Sequence, residues 1–147
     1  MSRSIRGLSE LQAFADSFVS SLVGGELVFL IGDLGAGKTA FVQAVAKSLG
    51  VTQAVTSPTF TIVAEYEVEG SGAVSMLVHA DLYRLDDAVA QSDPVVTSLL
   101  SRAKEGALVM IEWADKLGEV SVPHKTLAFS VGEGVDERVI EETGVVD

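Results

Sequence analysis

The residues best suited to chemistry are Gly32-Asp33-Leu34-Gly35-Ala36-Gly37-Lys38-Thr39, spaced G-x-x-x-x-G-K-T. Gly32, Gly35 and Gly37 let the backbone take conformations that a Cβ would forbid. The loop can then turn its N–H groups inward around phosphate oxygens. Lys38 brings a positive charge to the β- and γ-phosphates, and the Thr39 hydroxyl can ligate Mg²⁺. A following helix adds its positive dipole end at the same place. The candidate nucleotide-binding set therefore runs from Gly32 through Thr39 to Ala40. Within it, Asp33 would be repelled by phosphate, so its side chain is expected to point away or to cap.

Such a loop needs an acidic partner at the C-terminal end of a neighbouring buried strand, to hold Mg²⁺ or to orient water. Two carboxylates meet that description. Glu112 ends the apolar run Ala107-Leu108-Val109-Met110-Ile111, and Asp81 ends the stretch from Val74 to Ala80. Either could be an ordinary surface acid, and their roles could be exchanged. Glu112 reads best on the Mg²⁺ side, with Thr39 as its companion metal ligand. Asp81 reads best as a water-positioning or metal-shell residue. Lys38, Asp81 and Glu112 are the candidate catalytic set.

Other residues carry weaker signals. Ser57, Thr59 and Thr61 could sense a γ-phosphate or be ordinary turn and strand hydroxyls. His79 shares a strand face with Asp81 because the two are two positions apart, and it reads as structural support. Trp113 reads as core or a pocket wall. Arg84 could reach a phosphate or simply form a salt bridge. Ile5 to Leu11, ahead of the first helix, are candidates to line a base pocket. His124 has no companions.

The elements that must position these groups can be traced along the chain. Ser9 and Gln12 suggest a capping box. Leu11, Phe14, Ala15, Phe18, Val19 and Leu22 then mark one face of a helix that Gly24-Gly25 ends. Leu27-Val28-Phe29-Leu30-Ile31 is a continuous apolar run, as expected of a buried parallel strand. Phe41, Val42, Val45 and Leu49 repeat at helical spacing up to Gly50. From Phe60 the chain alternates, with Ile62, Ala64, Tyr66 and Val68 on one face and Glu65, Glu67 and Glu69 on the other. Gly70-Ser71-Gly72 turns it back, which makes an inserted hairpin. Asp86 to Ser92 gives no strong signal. Asp93-Pro94 predicts an N-cap and a first helical proline. Thr126 to Val131 reads as a strand, and Arg138-Val139-Ile140 as a further one.

Composition narrows the classes. At 147 residues a single domain spanning 1–147 is expected. The N-terminus lacks the apolar stretch of a secretory signal, and the apolar runs are far short of a membrane span. Cysteine is absent, which removes disulfides and thiolate chemistry and fits a cytoplasmic protein. Net charge is −11, with 21 acidic against 10 basic residues, so direct tight binding of nucleic acid is not expected.

Four motifs in order and spacing resemble the TsaE (YjeE) family: the loop Gly32 to Thr39, then Ser57-Pro58-Thr59, then His79-Ala80-Asp81-Leu82-Tyr83-Arg84, then Ile111-Glu112-Trp113. The resemblance covers about residues 8 to 118. It implies a P-loop NTPase-like three-layer α/β fold, with a mainly parallel central sheet and the inserted antiparallel hairpin. It implies ATP and Mg²⁺ as cofactors, and hydrolysis in support of threonylcarbamoyladenosine modification at position 37 of tRNA. TsaD and TsaB are the implied partners. By the same resemblance Lys38 is the phosphate-loop lysine, Thr39 the Mg²⁺ hydroxyl, Glu112 the metal-side acid and Asp81 a required aspartate. The chain departs from the family pattern at Ala40, at Asp86 to Pro94 and at Ala114.

Two other function classes fit a phosphate loop. A small-molecule kinase needs a lid with clustered arginines, and here only Arg102 and Lys104 lie close together, on the helix after Pro94. A non-catalytic nucleotide switch would keep Lys38 and Thr39 but would not need both acids.

Overall fold

The computed structural model describes residues 2–56, 63–69 and 72–143. Its strands are β1 (Ser2–Arg6), β2 (Leu27–Ile31), β3 (Val63–Glu67), β4 (Met76–Asp81), β5 (Leu108–Glu112), β6 (Lys125–Val131) and β7 (Glu137–Thr143). Its helices are α1 (Gly7–Ser20), α2 (Lys38–Leu49), α3 (Asp87–Ser92) and α4 (Pro94–Arg102), with short 3-10 turns at Ala103–Glu105 and Ala114–Leu117. The strands form one seven-stranded sheet in the order β1-β7-β6-β2-β5-β4-β3. The central four, β6-β2-β5-β4, are parallel. The edges are antiparallel: β3 on β4 at one side, β7 on β6 and β1 on β7 at the other.

Side-chain alternation along the strands divides the core into two layers. Val28, Leu30, Leu77, Leu108, Met110 and Leu127 face α1 and α2, where Phe18, Phe41 and Val45 meet them. Leu27, Phe29, Val78, Val109 and Ile111 face the other way, against Ala90 of α3 and Val96 and Leu99 of α4. The uninterrupted apolar runs of β2 and β5 follow from burial on both faces. Phe41 is fully buried, and its ring lies 5.5 Å from Phe14, 5.5 Å from Phe18 and 5.6 Å from Phe129.

The inserted hairpin is present: Tyr66 is buried and Ala64 and Val68 pack on the core, while Glu65, Glu67 and Glu69 are exposed. The expected strand start at Phe60 and Ile62 and the turn residues Gly70 and Ser71 lie outside the described residues. So do Ser57, Thr59 and Thr61. The cap at Asp93 is as expected, with its Oδ1 accepting the N–H of Val95 at 2.8 Å and of Val96 at 3.2 Å and Pro94 at the first helical position.

Three expectations need correction. The capping box at Ser9 and Gln12 is not formed, because α1 begins at Gly7 and Ser9 already lies inside its first turn. Glu10 accepts the Arg6 N–H at 2.9 Å instead. The Gln12 amide bonds Asp16 at 3.0 Å and the Ala44 carbonyl at 2.9 Å, which ties α1 to α2. A helix, α3, occupies the stretch that gave no signal, started by Asp86 Oδ1 accepting the Val89 N–H at 2.8 Å. Finally, Ile5 to Leu11 do not precede the first helix. They span the end of β1 and the start of α1, and β1 carries no apolar alternation because Ile5 alone among its residues is buried.

Candidate functional site

Residues 32–37 connect the C-terminal end of β2 to the start of α2. Three glycines there, Gly32, Gly35 and Gly37, take positive φ. Gly32 has φ +142°, and a Cβ on it would lie 2.4 Å from the Phe129 carbonyl oxygen of β6. Gly37, the N-cap of α2, has φ +105°. The Ala36 N–H donates to Asp33 O at 3.1 Å and closes a turn, while the Asp33 side chain is exposed. Among the described residues no side chain caps α2, which leaves its first N–H groups to a ligand's oxygens.

Lys38 is 4% exposed. Its ammonium donates to the Gly32 carbonyl and stands 3.7 Å above the Trp113 ring. Burial pushes its pKa below the ordinary lysine value; the carboxylates of Glu112, Asp81, Asp115 and Asp33 pull the other way. Trp113 holds this position through a left-handed backbone, φ +59°, its N–H bonded to Leu30 O at 3.1 Å. The Tyr83 ring is 5.0 Å away, so Trp113 forms a wall beside the loop.

The Thr39 hydroxyl faces the Glu112 carboxylate, at 3.0 Å from Oε1 and 2.9 Å from Oε2. Glu112 is 3% exposed, and His79 Nε2 lies 2.6 Å from its Oε2. Parallel pairing of β4 with β5 sets Asp81 directly beside Glu112. Asp81 Oδ1 accepts the Tyr83 N–H at 2.9 Å, which shapes the chain leaving β4. Lys38, Thr39, Asp81 and Glu112 therefore converge at the C-terminal edge of the parallel strands.

Alongside the loop runs a cleft of about 250 Å³. Ile5, Gly7, Leu8 and Leu11 form one side, Ala36, Gly37 and Ala40 another, and Phe129 and Arg138 close it. Ile5, Gly7, Leu8 and Leu11 thus line a cleft beside the loop, as part of β1 and α1. Arg138 carried no sequence signal, because only the pairing of β7 with β6 brings it beside Gly37. Arg102 and Lys104, the basic pair weighed against the kinase reading, lie away from the loop. Arg102 ends α4 and is paired with Glu65 at 2.8 Å and Glu105 at 3.8 Å, and Lys104 sits in the following 3-10 turn rather than on the helix.

Among the described residues no group of three or more His, Asp or Glu side chains could hold a metal ion unaided. The hydroxyl of Thr39 and the carboxylate of Glu112 do fit a hard cation that takes its remaining ligands from phosphate and water, which is the habit of Mg²⁺.

The family model for the threonylcarbamoyl adenosine biosynthesis protein TsaE matches residues 5–140. The chain belongs to the TsaE family. A tRNA threonylcarbamoyladenosine biosynthesis protein TsaE from Bacillus subtilis is 35% identical over 137 residues, covering 92% of this chain and 80% of that one. Its counterpart from Streptomyces coelicolor is 35% identical, covering 84% of this chain and 83% of its own. The crystal structure of Bacillus subtilis YdiB superposes with a TM-score of 0.72 at 28% identity, covering all of this chain (100%) and 86% of that one. Membership of TsaE ties the chain to tRNA threonylcarbamoyladenosine biosynthesis. No described helix is long and apolar enough to cross a membrane.

Proposed function

We propose that this chain is the ATP-hydrolysing subunit of the machinery that makes threonylcarbamoyladenosine at position 37 of tRNA, acting with TsaD and TsaB. One observation carries the reading: the Thr39 hydroxyl, at the start of the helix after a glycine loop, faces the buried strand-end carboxylate of Glu112 at 2.9 Å. A hydroxyl that gives its proton to a carboxylate keeps its lone pairs for a cation.

The residues divide the work. Open N–H groups of the loop and of α2 receive phosphate oxygens. Lys38 swings from Gly32 O to the β- and γ-phosphates while Trp113 keeps its approach dry. Thr39 and Glu112 hold Mg²⁺, which when bound neutralises phosphate charge. Asp81, beside Glu112, positions the attacking water. The cleft between Leu8, Leu11 and Ala40 accepts the adenine. Net charge of −11 suits a subunit that touches proteins rather than tRNA, in the cytoplasm.

The test is nucleotide-dependent co-purification with TsaD and TsaB, and release of phosphate from ATP by the assembled complex. Wild type should associate and release phosphate, and Lys38→Ala should do neither. Hydrolysis that Lys38→Ala leaves intact would sink the reading. Transfer of the γ-phosphate to a small acceptor would replace it with a kinase.

A further inference from the structure

We propose that His79 is a positioning residue for Glu112: its imidazole orients the carboxylate that receives the Thr39 hydroxyl. The inference rests on Glu112 being the cation-side acid.

Strand parity brings the groups together. His79 and Asp81 on β4, and Met110 and Glu112 on β5, all point to the face that packs on α2, because each pair is two residues apart and His79 is in register with Met110. His79 has no exposed surface and stands one pleat behind the site. Its Nε2 is 2.6 Å from Glu112 Oε2, and among the described residues the carboxylate's other hydrogen bonds come from the Thr39 hydroxyl. Glu112 is thus gripped from behind by a ring and from the front by a hydroxyl.

The second nitrogen decides which way the imidazole is set. Nδ1 is buried with no hydrogen-bond partner among the described residues. A proton on Nδ1 alone would bury an unpaired donor and press the Nε2 lone pair against a carboxylate oxygen. A proton on Nε2 replaces that repulsion with a hydrogen bond and makes His79 the donor, leaving Nδ1 a bare acceptor. As a packing element the residue is poorly chosen, since a hydrocarbon would fill the same volume without an orphaned nitrogen. What a hydrocarbon lacks is the N–H that fixes Glu112. An imidazole behind a ligating carboxylate acts as outer-shell partners do, holding the ligand's orientation without touching the ion.

The test compares His79→Leu, which keeps volume, with His79→Gln, whose amide nitrogen can reach the Nε2 position. Binding of Mn²⁺ to the protein–ADP complex is followed by electron paramagnetic resonance, with ADP affinity in chelator measured separately. His79→Leu should weaken Mn²⁺ by about tenfold or more, and His79→Gln should recover most of that. Metal-free ADP affinity should be unchanged in both. In ¹⁵N-labelled wild type, Nε2 should carry the proton and Nδ1 should resonate as a bare ring nitrogen. Should His79→Leu fail to fold, His79→Gln and the nitrogen spectrum decide. Unchanged Mn²⁺ affinity in a folded His79→Leu, equal losses in both variants, or a proton on Nδ1 alone would overturn the proposal. A wild type that binds neither ADP nor Mn²⁺ would overturn the reading of the site itself, an outcome distinct from these.

Discussion

Lys38 is a charge kept in a poor place. Burial lowers its pKa from the usual 10.5, so the folded protein binds this proton less well than the unfolded chain does. At neutral pH the charge therefore costs stability, and the cost fades as pH rises through the folded value towards 10.5. Lys38→Met should raise the thermal midpoint of the nucleotide-free protein while abolishing its response to ATP; a thermal-shift assay with and without ATP checks both. Thr39 makes a complementary case. Thr39→Val removes the hydroxyl that meets both Glu112 oxygens, leaving a buried carboxylate short of a donor at a cost of about 1–3 kcal/mol. Thr39→Ser should restore the midpoint and the Mg²⁺ dependence of hydrolysis together.

At the scale of elements, the loop depends on how closely β2 and β6 run. Gly32→Ala would set a methyl against the Phe129 carbonyl oxygen in a backbone region that side chains avoid, so the loop must move. The expected loss is about 1–3 kcal/mol of strain or more, read by urea denaturation, with weakened ATP binding. The opposite layer offers a control. Asp93→Ala removes the cap of α4, which packs against the sheet face away from the loop. It should cost about 1 kcal/mol and leave nucleotide affinity alone. A change in ATP affinity there would mean the two layers are coupled through the sheet.

Across the whole molecule, the chain's first strand is held by its last. β1 pairs with β7, and the Glu137 carboxylate accepts from the Ser4 hydroxyl and from the Gly134 N–H at 3.1 Å, with Arg6 3.7 Å away. The Ser4 bond above all, then the Gly134 N–H, holds Glu137 below the ordinary carboxylate pKa of 4.5. A depressed acid contributes stability that is fully present above 4.5 and is lost as pH falls through the folded value. Acidification should therefore weaken the tie between β1 and β7, which carries the Ile5 side of the cleft. Protection of the residue 2–6 amides, relative to intrinsic exchange at the same pH, should fall below pH 4.5 in wild type and be lower already at neutral pH in Glu137→Ala.

Much of this site was legible before any fold was known. The loop from Gly32 to Thr39, the apolar runs of β2 and β5 and the acids that end β4 and β5 are local patterns, each written within a few residues. Their chemistry follows from residue type and spacing. The cap at Asp93 is legible for the same reason. The contact between Thr39 and Glu112 spans 73 positions, and only the parallel pairing of β2 with β5 closes it. Likewise His79 reads as ordinary strand support until register sets its ring behind Glu112, and Trp113 becomes a wall only through its left-handed backbone. The polar β1 and the helix α3 left too little apolar periodicity to be seen. By itself the sequence determined which groups could do chemistry, since that is a property of side chains and short spacing. Tertiary structure alone decided which of them meet, because strand order and register are set by burial on two faces of a sheet and not by any one stretch of it.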